Sequence, residues 1–399
     1  MDDISPRRKS STSFFRGAGL PARLRAARHA LHQRAVTYRL EFRRYCFPFG
    51  RTVRTAHGPW AEREGLLVRL EDEAGRSGYG EVAPIPWFGT ETLAEAEEVL
   101  AKLAGAADAA TPGSIDERYG CVRFALASAL GGVERVVSCP QASSDPWRVR
   151  DNAPYRGDAK TMRLPVAALL PAGKAALTAA DEALKGGFVA CKWKVGVLAM
   201  DDELVVLDDL LARLPAYAKL RLDANGAWTT RQAAKWLERC AARPIEFIEQ
   251  PCFAEAAQGA ARQNRLVDAL LGLANDYPTP IALDESITGL ASLRAWLERG
   301  WPGVLVVKPA LAGAPAEVLA MLAHHRADAV FSSAFETAVG RQAALQMAFR
   351  FNGPQPRALG FGVVPLFKDA RIDALPAVPF LTIEAANEIN PEAIWNAVN

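Results

Sequence analysis

The sequence predicts an α/β fold: a (β/α) barrel of TIM type with an N-terminal α+β capping domain that the C-terminal segment completes. Two observations carry the prediction. From residue 190 onward, short apolar runs recur, and each ends in a polar or charged residue. Val189–Val195 carries Lys192 and Lys194, Lys219–Leu222 leads to Asp223, and Ile245–Ile248 leads to Glu249. Ile281–Leu283 leads to Asp284, Val304–Val307 to Lys308, and Ala329–Phe331 to Ser332 and Ser333. The intervals from Lys194 through Asp223, Glu249, Asp284 and Lys308 to Ser333 are 29, 26, 35, 24 and 25 residues. Each interval holds a strand, a helix and two loops, the period of βαβ units on a parallel sheet. The C-terminal ends of such strands are where a closed barrel keeps its chemistry. The second observation is that the chain ahead of these units reads as three strands followed by two helices, which is an α+β arrangement.

In chain order, residues 1–34 carry eight basic and two acidic side chains, a charge of +6. The remainder holds 39 basic and 43 acidic residues, or −4, so the net +2 of the chain belongs to the tail. A basic tail on an acidic body does not support nucleic-acid binding by the folded part. The tail lacks an apolar signal core and is expected to be a flexible extension. The α+β domain is expected over 35–150, with strands at Val36–Tyr45, Gly65–Leu70 and Gly78–Pro84. A polar loop is expected at Gly50–Trp60, and helices at Glu91–Leu103 and Ile115–Leu130. Ser138–Lys160, rich in Pro, Ser and Asp, reads as a linker.

The barrel is expected over 160–365, its first strand at Leu164–Leu170 and its eighth ending near Leu359–Gly362. Gly360 and Gly362 would let backbone approach a ligand closely there. Residues 366–399 show no further βα unit and are expected to return to the capping domain. No apolar run approaches the ~20 residues of a membrane span. The cysteines at 46, 121, 139, 191, 240 and 252 form no CxxC pair, which suits reduced thiols in a cytoplasmic protein. None of the histidines stands at metal-ligand spacing.

Lys192 and Lys194 fall two apart in a strand, so both face one side and Trp193 the other. Two ammonium groups on one face repel, which is expected to lower the pKa of at least one towards that of a usable base. An exposed strand with alternating charge is the plain alternative. The downstream pattern outweighs it. Asp223, Glu249 and Asp284 end three successive strands, so their carboxylates converge at one mouth. Without a cation they would repel one another strongly, and hard oxygen donors suit Mg²⁺. Lys194 precedes this triad and Lys308 follows it, which puts an amine on each side. A metal with flanking bases fits abstraction of a proton α to a carboxylate.

Lys-x-Lys, Asp-Ala-Asn-Gly, Glu-Gln-Pro, Asp-Glu-Ser and Val-Lys-Pro, in this order, resemble the enolase superfamily, muconate-lactonizing subgroup, from about residue 36 to the C-terminus. Val330–Gly340 and Ala358–Gly362 are similar to the corresponding segments of its o-succinylbenzoate synthases. The resemblance implies loops at Gly50–Trp60 and Ile85–Gly89 that close over the barrel and select the substrate. It implies Mg²⁺-dependent dehydration of 2-succinyl-6-hydroxy-2,4-cyclohexadiene-1-carboxylate to o-succinylbenzoate in menaquinone synthesis, with Mn²⁺ able to substitute. On this reading Lys194 is base and acid, Lys308 a cation facing the ring, and Lys192 a holder of the carboxylate. Asn225 and Glu285 would orient the metal ligands, and Ser332, Ser333 and Gly360 would contact the substrate. The alternative within the superfamily is racemisation or epimerisation of an N-acylated amino acid or dipeptide, with Lys194 and Lys308 as opposed bases. A binding or scaffold protein retaining five buried charges would lose stability for no function. The expected partner is a small carboxylate, with neither nucleic acid nor membrane, and the oligomeric state stays open.

Overall fold

A computed structural model of the chain describes residues 37–398, apart from 56–57, 138–162, 254–259, 355–356, 364 and 374. The basic tail and the Ser138–Lys160 linker lie outside the described residues. The first strands are β1 (Tyr38–Thr55), β2 (Gly58–Glu71), β3 (Ser77–Val82) and β4 (Ala106–Ala107). They form an antiparallel sheet of order β3-β2-β1-β4. The expected loop at Gly50–Trp60 is instead the far end of a long ribbon, where Val53 pairs with Trp60, Arg54 with Pro59 and Thr55 with Gly58. Between Pro48 and Val53 the register slips. Over this stretch the Gly50 amide donates to the Leu366 carbonyl at 2.9 Å and Phe49 bridges to Phe367, so β1 exchanges one partner for another there.

Two helices pack on this sheet. Leu93–Lys102 opens with a capping box between Thr92 and Glu95, which satisfies two otherwise orphaned amides. The second helix runs over Gly120–Val137 rather than Ile115–Leu130. Asp116 Oδ1 accepts the Arg118 amide at 3.0 Å and the Tyr119 amide bonds the Asp116 carbonyl at 3.0 Å. This local turn competes with helix and delays its start. Val122, Ala125, Leu126, Ala129 and Val133 are buried on its sheet-facing side, at the spacing of one helical stripe. A Cβ on Gly80 or Gly78 would collide with the carbonyl oxygens of Ala125 or Ala129. Backbone against backbone leaves nothing soft to yield. Gly80→Ala is expected to cost about 1–3 kcal/mol, as overpacked sites do, read as a lowered urea midpoint. An unchanged midpoint would refute the close approach.

The chain then forms β5 (Arg163–Pro165), β6 (Ala168–Leu170), β7 (Ala190–Lys194), β8 (Lys219–Asp223), β9 (Ile245–Glu249), β10 (Ile281–Leu283), β11 (Val304–Val307), β12 (Ala329–Phe331) and β13 (Phe380–Thr382). Strands β6 to β12 make a parallel seven-stranded sheet in sequence order, with helices between successive strands. Its edges meet through one short segment, in which Ser332 bridges to Gly360 and Leu359 to Val166. The Gly360 amide reaches the Phe331 carbonyl at 2.8 Å and the Leu359 amide reaches that of Pro165 at 2.7 Å. The eighth position is therefore two residues wide. The expected first strand Leu164–Leu170 is split, because Arg163–Pro165 leaves the barrel to pair antiparallel with β13.

Residues 366–398 contain short helices and β13 and pack against β1 and β2. Arg43 donates to the carbonyls of Trp395 at 3.0 Å and Val398 at 2.7 Å, and its guanidinium lies over the Trp395 ring. Tyr45, Phe49 and Leu67 share a core with Phe367, Ile394 and Trp395.

A candidate active site at the barrel mouth

The parallel register carries the strand-end residues to one rim. Lys194 pairs in register with Asp223 and Asp223 with Glu249. Asp284 follows β10 and Lys308 follows β11 directly. Trp193 faces away and is buried between sheet and helices, as strand alternation requires.

Lys192 is drawn inward. Its ammonium sits 2.6 Å from Glu249 Oε1 and 2.9 Å from Asp223 Oδ2. The repulsion expected to lower the pKa of at least one of the two lysines does not do so at Lys192. Burial works to lower it, but Asp223 and Glu249 outweigh burial and push the Lys192 pKa above its ordinary value. The lowered amine is Lys308, which burial brings down to about 7. Lys308 also donates to Asp284, and its ammonium lies 4.3 Å from the centre of the Phe88 ring. Phe88 belongs to the 3₁₀ turn Pro86–Phe88, so the Ile85–Gly89 segment does reach over the mouth. Lys194, at the strand end, is exposed.

The loops behind the carboxylates hold them. The Asn225 side-chain amide donates to Glu285 Oε1 at 3.2 Å. Asn225 and Gln250 both adopt positive φ, at 45° and 36°, a conformation that costs energy and collects at functional sites. Gln250, which the sequence reading passed over, is fully buried. Its Oε1 accepts the amides of Asp284 at 2.9 Å and Ser286 at 3.1 Å, so it fixes the Asp-Glu-Ser turn. The Glu-Gln-Pro motif was visible in the sequence, but Gln250's partner lies 34 residues away.

On the opposite rim, the Ser332 hydroxyl donates to the Gly360 carbonyl at 3.2 Å. A Cβ on Gly360 would strike the Ser332 side chain, so Gly360 permits the barrel to close. Ser333 donates to Glu336 at 3.0 Å and accepts the Phe335 amide at 3.0 Å, so its hydroxyl is engaged within its own turn.

Among the described residues, no three acidic, histidine or cysteine side chains stand close enough to hold a metal ion as placed. The donor chemistry nevertheless fits a hard divalent cation. Asp223 and Glu249 already converge on one cationic group, the Lys192 ammonium. Beside them Glu285 Oε2 is buried without a partner. Burial, with Asp223 and Glu249 adding, raises the Glu285 carboxyl to about 7, because carboxylates this close repel one another. Buried ion pairs of a purely structural kind lie elsewhere: Arg221 and Arg357 both bind Glu246, each at 2.7 Å, within the barrel.

A ring of parallel strands with lysines and carboxylates at their C-terminal ends, under an α+β cap, is the architecture of the enolase superfamily. Residues 175–375 match the enolase C-terminal domain-like family, and residues 37–132 match the MenC N-terminal domain. The chain is 37% identical over 357 residues to the o-succinylbenzoate synthase of Thermosynechococcus vestitus, covering 88% of this chain and 97% of that protein. It superposes on the magnesium-bound crystal structure of o-succinylbenzoate synthase from Thermosynechococcus elongatus BP-1 with a TM-score of 0.71 at 33% identity, covering 90% of this chain and 99% of that one. The L-Ala-D/L-Glu epimerase of Bacillus subtilis shares the fold, with a TM-score of 0.69 at 20% identity over 86% of this chain and 95% of that one. The chain belongs to the o-succinylbenzoate synthase family.

Proposed function

We infer that this chain is a lyase that dehydrates 2-succinyl-6-hydroxy-2,4-cyclohexadiene-1-carboxylate to o-succinylbenzoate, in menaquinone biosynthesis. The observation that carries the reading is the convergence of Asp223, Glu249 and two lysines at one barrel mouth, in a chain 37% identical to a named synthase across nearly its whole length. The carboxylates of Asp223, Glu249 and Asp284 would hold Mg²⁺, with Mn²⁺ able to replace it. When bound, that ion supplies charge neutralisation for the substrate carboxylate. Asn225 and Glu285 orient the ligands behind it, and Gln250 holds the Asp284 turn.

Lys194 removes the proton α to the carboxylate, giving an enediolate, and returns a proton to the departing hydroxyl. One amine performs both steps because the two groups leave from one face of the ring. Lys308 faces the developing aromatic ring as a cation. A divalent ion held there would take over the charge that Lys192 now offsets on Asp223 and Glu249, which would leave its ammonium for the substrate carboxylate. Gly360 and the turn at Ser332 and Ser333 line the succinyl side. The thiols at 46, 121, 191, 240 and 252 are all free, which supports a cytoplasmic setting. Among the described residues, no helix is long and apolar enough to cross a membrane.

The test is incubation of the purified protein in D₂O with the diene and, separately, with N-succinylamino acids. Loss of diene absorbance is expected, with slow exchange at most for the amino acids. Efficient racemisation with the diene untouched would favour the second reading, which the flanking amines Lys194 and Lys308 also support.

A further inference from the structure

We propose that Glu81, on β3 of the α+β domain, is a positioning residue for the reaction: its carboxylate clasps the segment that carries the Ser332–Phe335 turn and so sets the shape of the barrel mouth. Glu81 is fully buried. Its Oε1 accepts the Tyr45 hydroxyl at 2.5 Å and the Thr337 amide at 2.9 Å. Its Oε2 accepts the Thr337 hydroxyl at 2.5 Å and the Gly340 amide at 2.8 Å. Thr337 caps the helix Ala338–Arg350, its hydroxyl also accepting the Val339 amide at 3.2 Å. A carboxylate from one domain thus sits at the positive end of a helix from the other, where an anion is favoured. Burial and Glu81 hold the Tyr45 hydroxyl well above its ordinary pKa, which keeps it a donor.

The clasp is coupled to the mouth through one short turn. Thr337 follows Glu336, whose carboxylate accepts the Ser333 hydroxyl and, at 2.5 Å, the Ala334 amide. Phe335 within the turn has φ 59°, a conformation an aromatic residue adopts only when its surroundings impose it. A second anchor from the cap, buried Arg63, donates to the Phe335 carbonyl at 3.1 Å and to those of Pro84 and Ala83 just ahead of the Ile85–Gly89 segment. The rim that lines the succinyl side is therefore shaped by two side chains of the cap, neither of which reaches the reacting atoms. All four groups on Glu81 are donors, so the position requires an acceptor at both oxygens. Glu81→Gln keeps the shape but turns an NH₂ onto the Thr337 or Gly340 backbone N–H, which cannot accept from it.

The activity arm of the test rests on the dehydratase reading, and the exchange arm does not. Glu81→Gln and Thr337→Val are compared with wild type by amide hydrogen exchange over residues 332–340, by kcat and KM on the diene, and by urea midpoint. Glu81→Gln is expected to speed exchange in the turn and raise KM about tenfold or more, with a smaller fall in kcat. Thr337→Val, which removes one of the four bonds, falls between it and wild type. A lower midpoint with exchange and KM unchanged would make Glu81 merely structural and overturn the proposal. If Glu81→Gln does not fold, unchanged exchange and KM in both Thr337→Val and Tyr45→Phe overturn it equally. Faster exchange in a protein whose wild type ignores the diene would reject the dehydratase reading and leave the clasp standing.

Discussion

Lys194→Ala is expected to abolish dehydration of the cyclohexadiene, with kcat falling on the order of a thousandfold or more. General acid–base catalysis by one positioned group contributes about 10²–10⁴-fold, and here a single amine is asked to do both halves of the proton transfer. The structure separates it from its neighbour two residues back. Lys192 is spent on Asp223 and Glu249, whereas Lys194 ends β7 exposed at the rim. The fold should not suffer, because an exposed strand-end side chain supports little packing. Circular dichroism should therefore match wild type while the diene absorbance persists. Retention of a tenth or more of wild-type turnover would remove Lys194 from its role and point to Lys308. In a racemase, by contrast, Lys194→Ala and Lys308→Ala would each block exchange from one face only. Following solvent deuterium into an N-succinylamino acid distinguishes the two.

Excess chelator should eliminate turnover, and Mg²⁺ or Mn²⁺ should restore it. The physical reason lies in the charge that Asp223, Glu249 and Asp284 bring to one rim, only part of which Lys192 and Lys308 offset. Burial raises the Glu249 carboxyl even against the opposing pull of Lys192, so the site gains from a stronger counterion. A ligand that binds only the folded state stabilises it by about 2.7 kcal/mol at a hundred times its Kd. Added Mg²⁺ should accordingly raise the thermal midpoint, and Glu249→Gln should blunt that rise as well as the activity. Full turnover in excess chelator, or a midpoint indifferent to Mg²⁺, would sink the assignment of these three carboxylates.

What the sequence determined by itself is the barrel and the residues on its rim. Both follow from local rules: a strand is a short apolar run, alternation decides which side chains face inward, and a parallel sheet puts every strand end at one mouth. Lys194, Asp223, Glu249, Asp284 and Lys308 are legible because each needs only its own strand to be placed. Local rules stop where a partner is distant in the chain. The stretch from Gly50 to Trp60 reads as a loop because its partners, Gly58–Trp60 for Val53–Thr55 and Leu366 for Gly50, follow no periodicity in the chain. The first barrel strand splits because Phe380–Thr382 claims part of it. The Lys192 pKa rises because carboxylates on two other strands lie against its ammonium, and distance in space, not in sequence, sets the Coulomb energy. Gln250, Arg63 and Glu81 leave no motif that names their role. Glu81 meets Thr337 across 256 residues, and only the docking of the cap on the barrel makes that buried anion and that helix terminus neighbours.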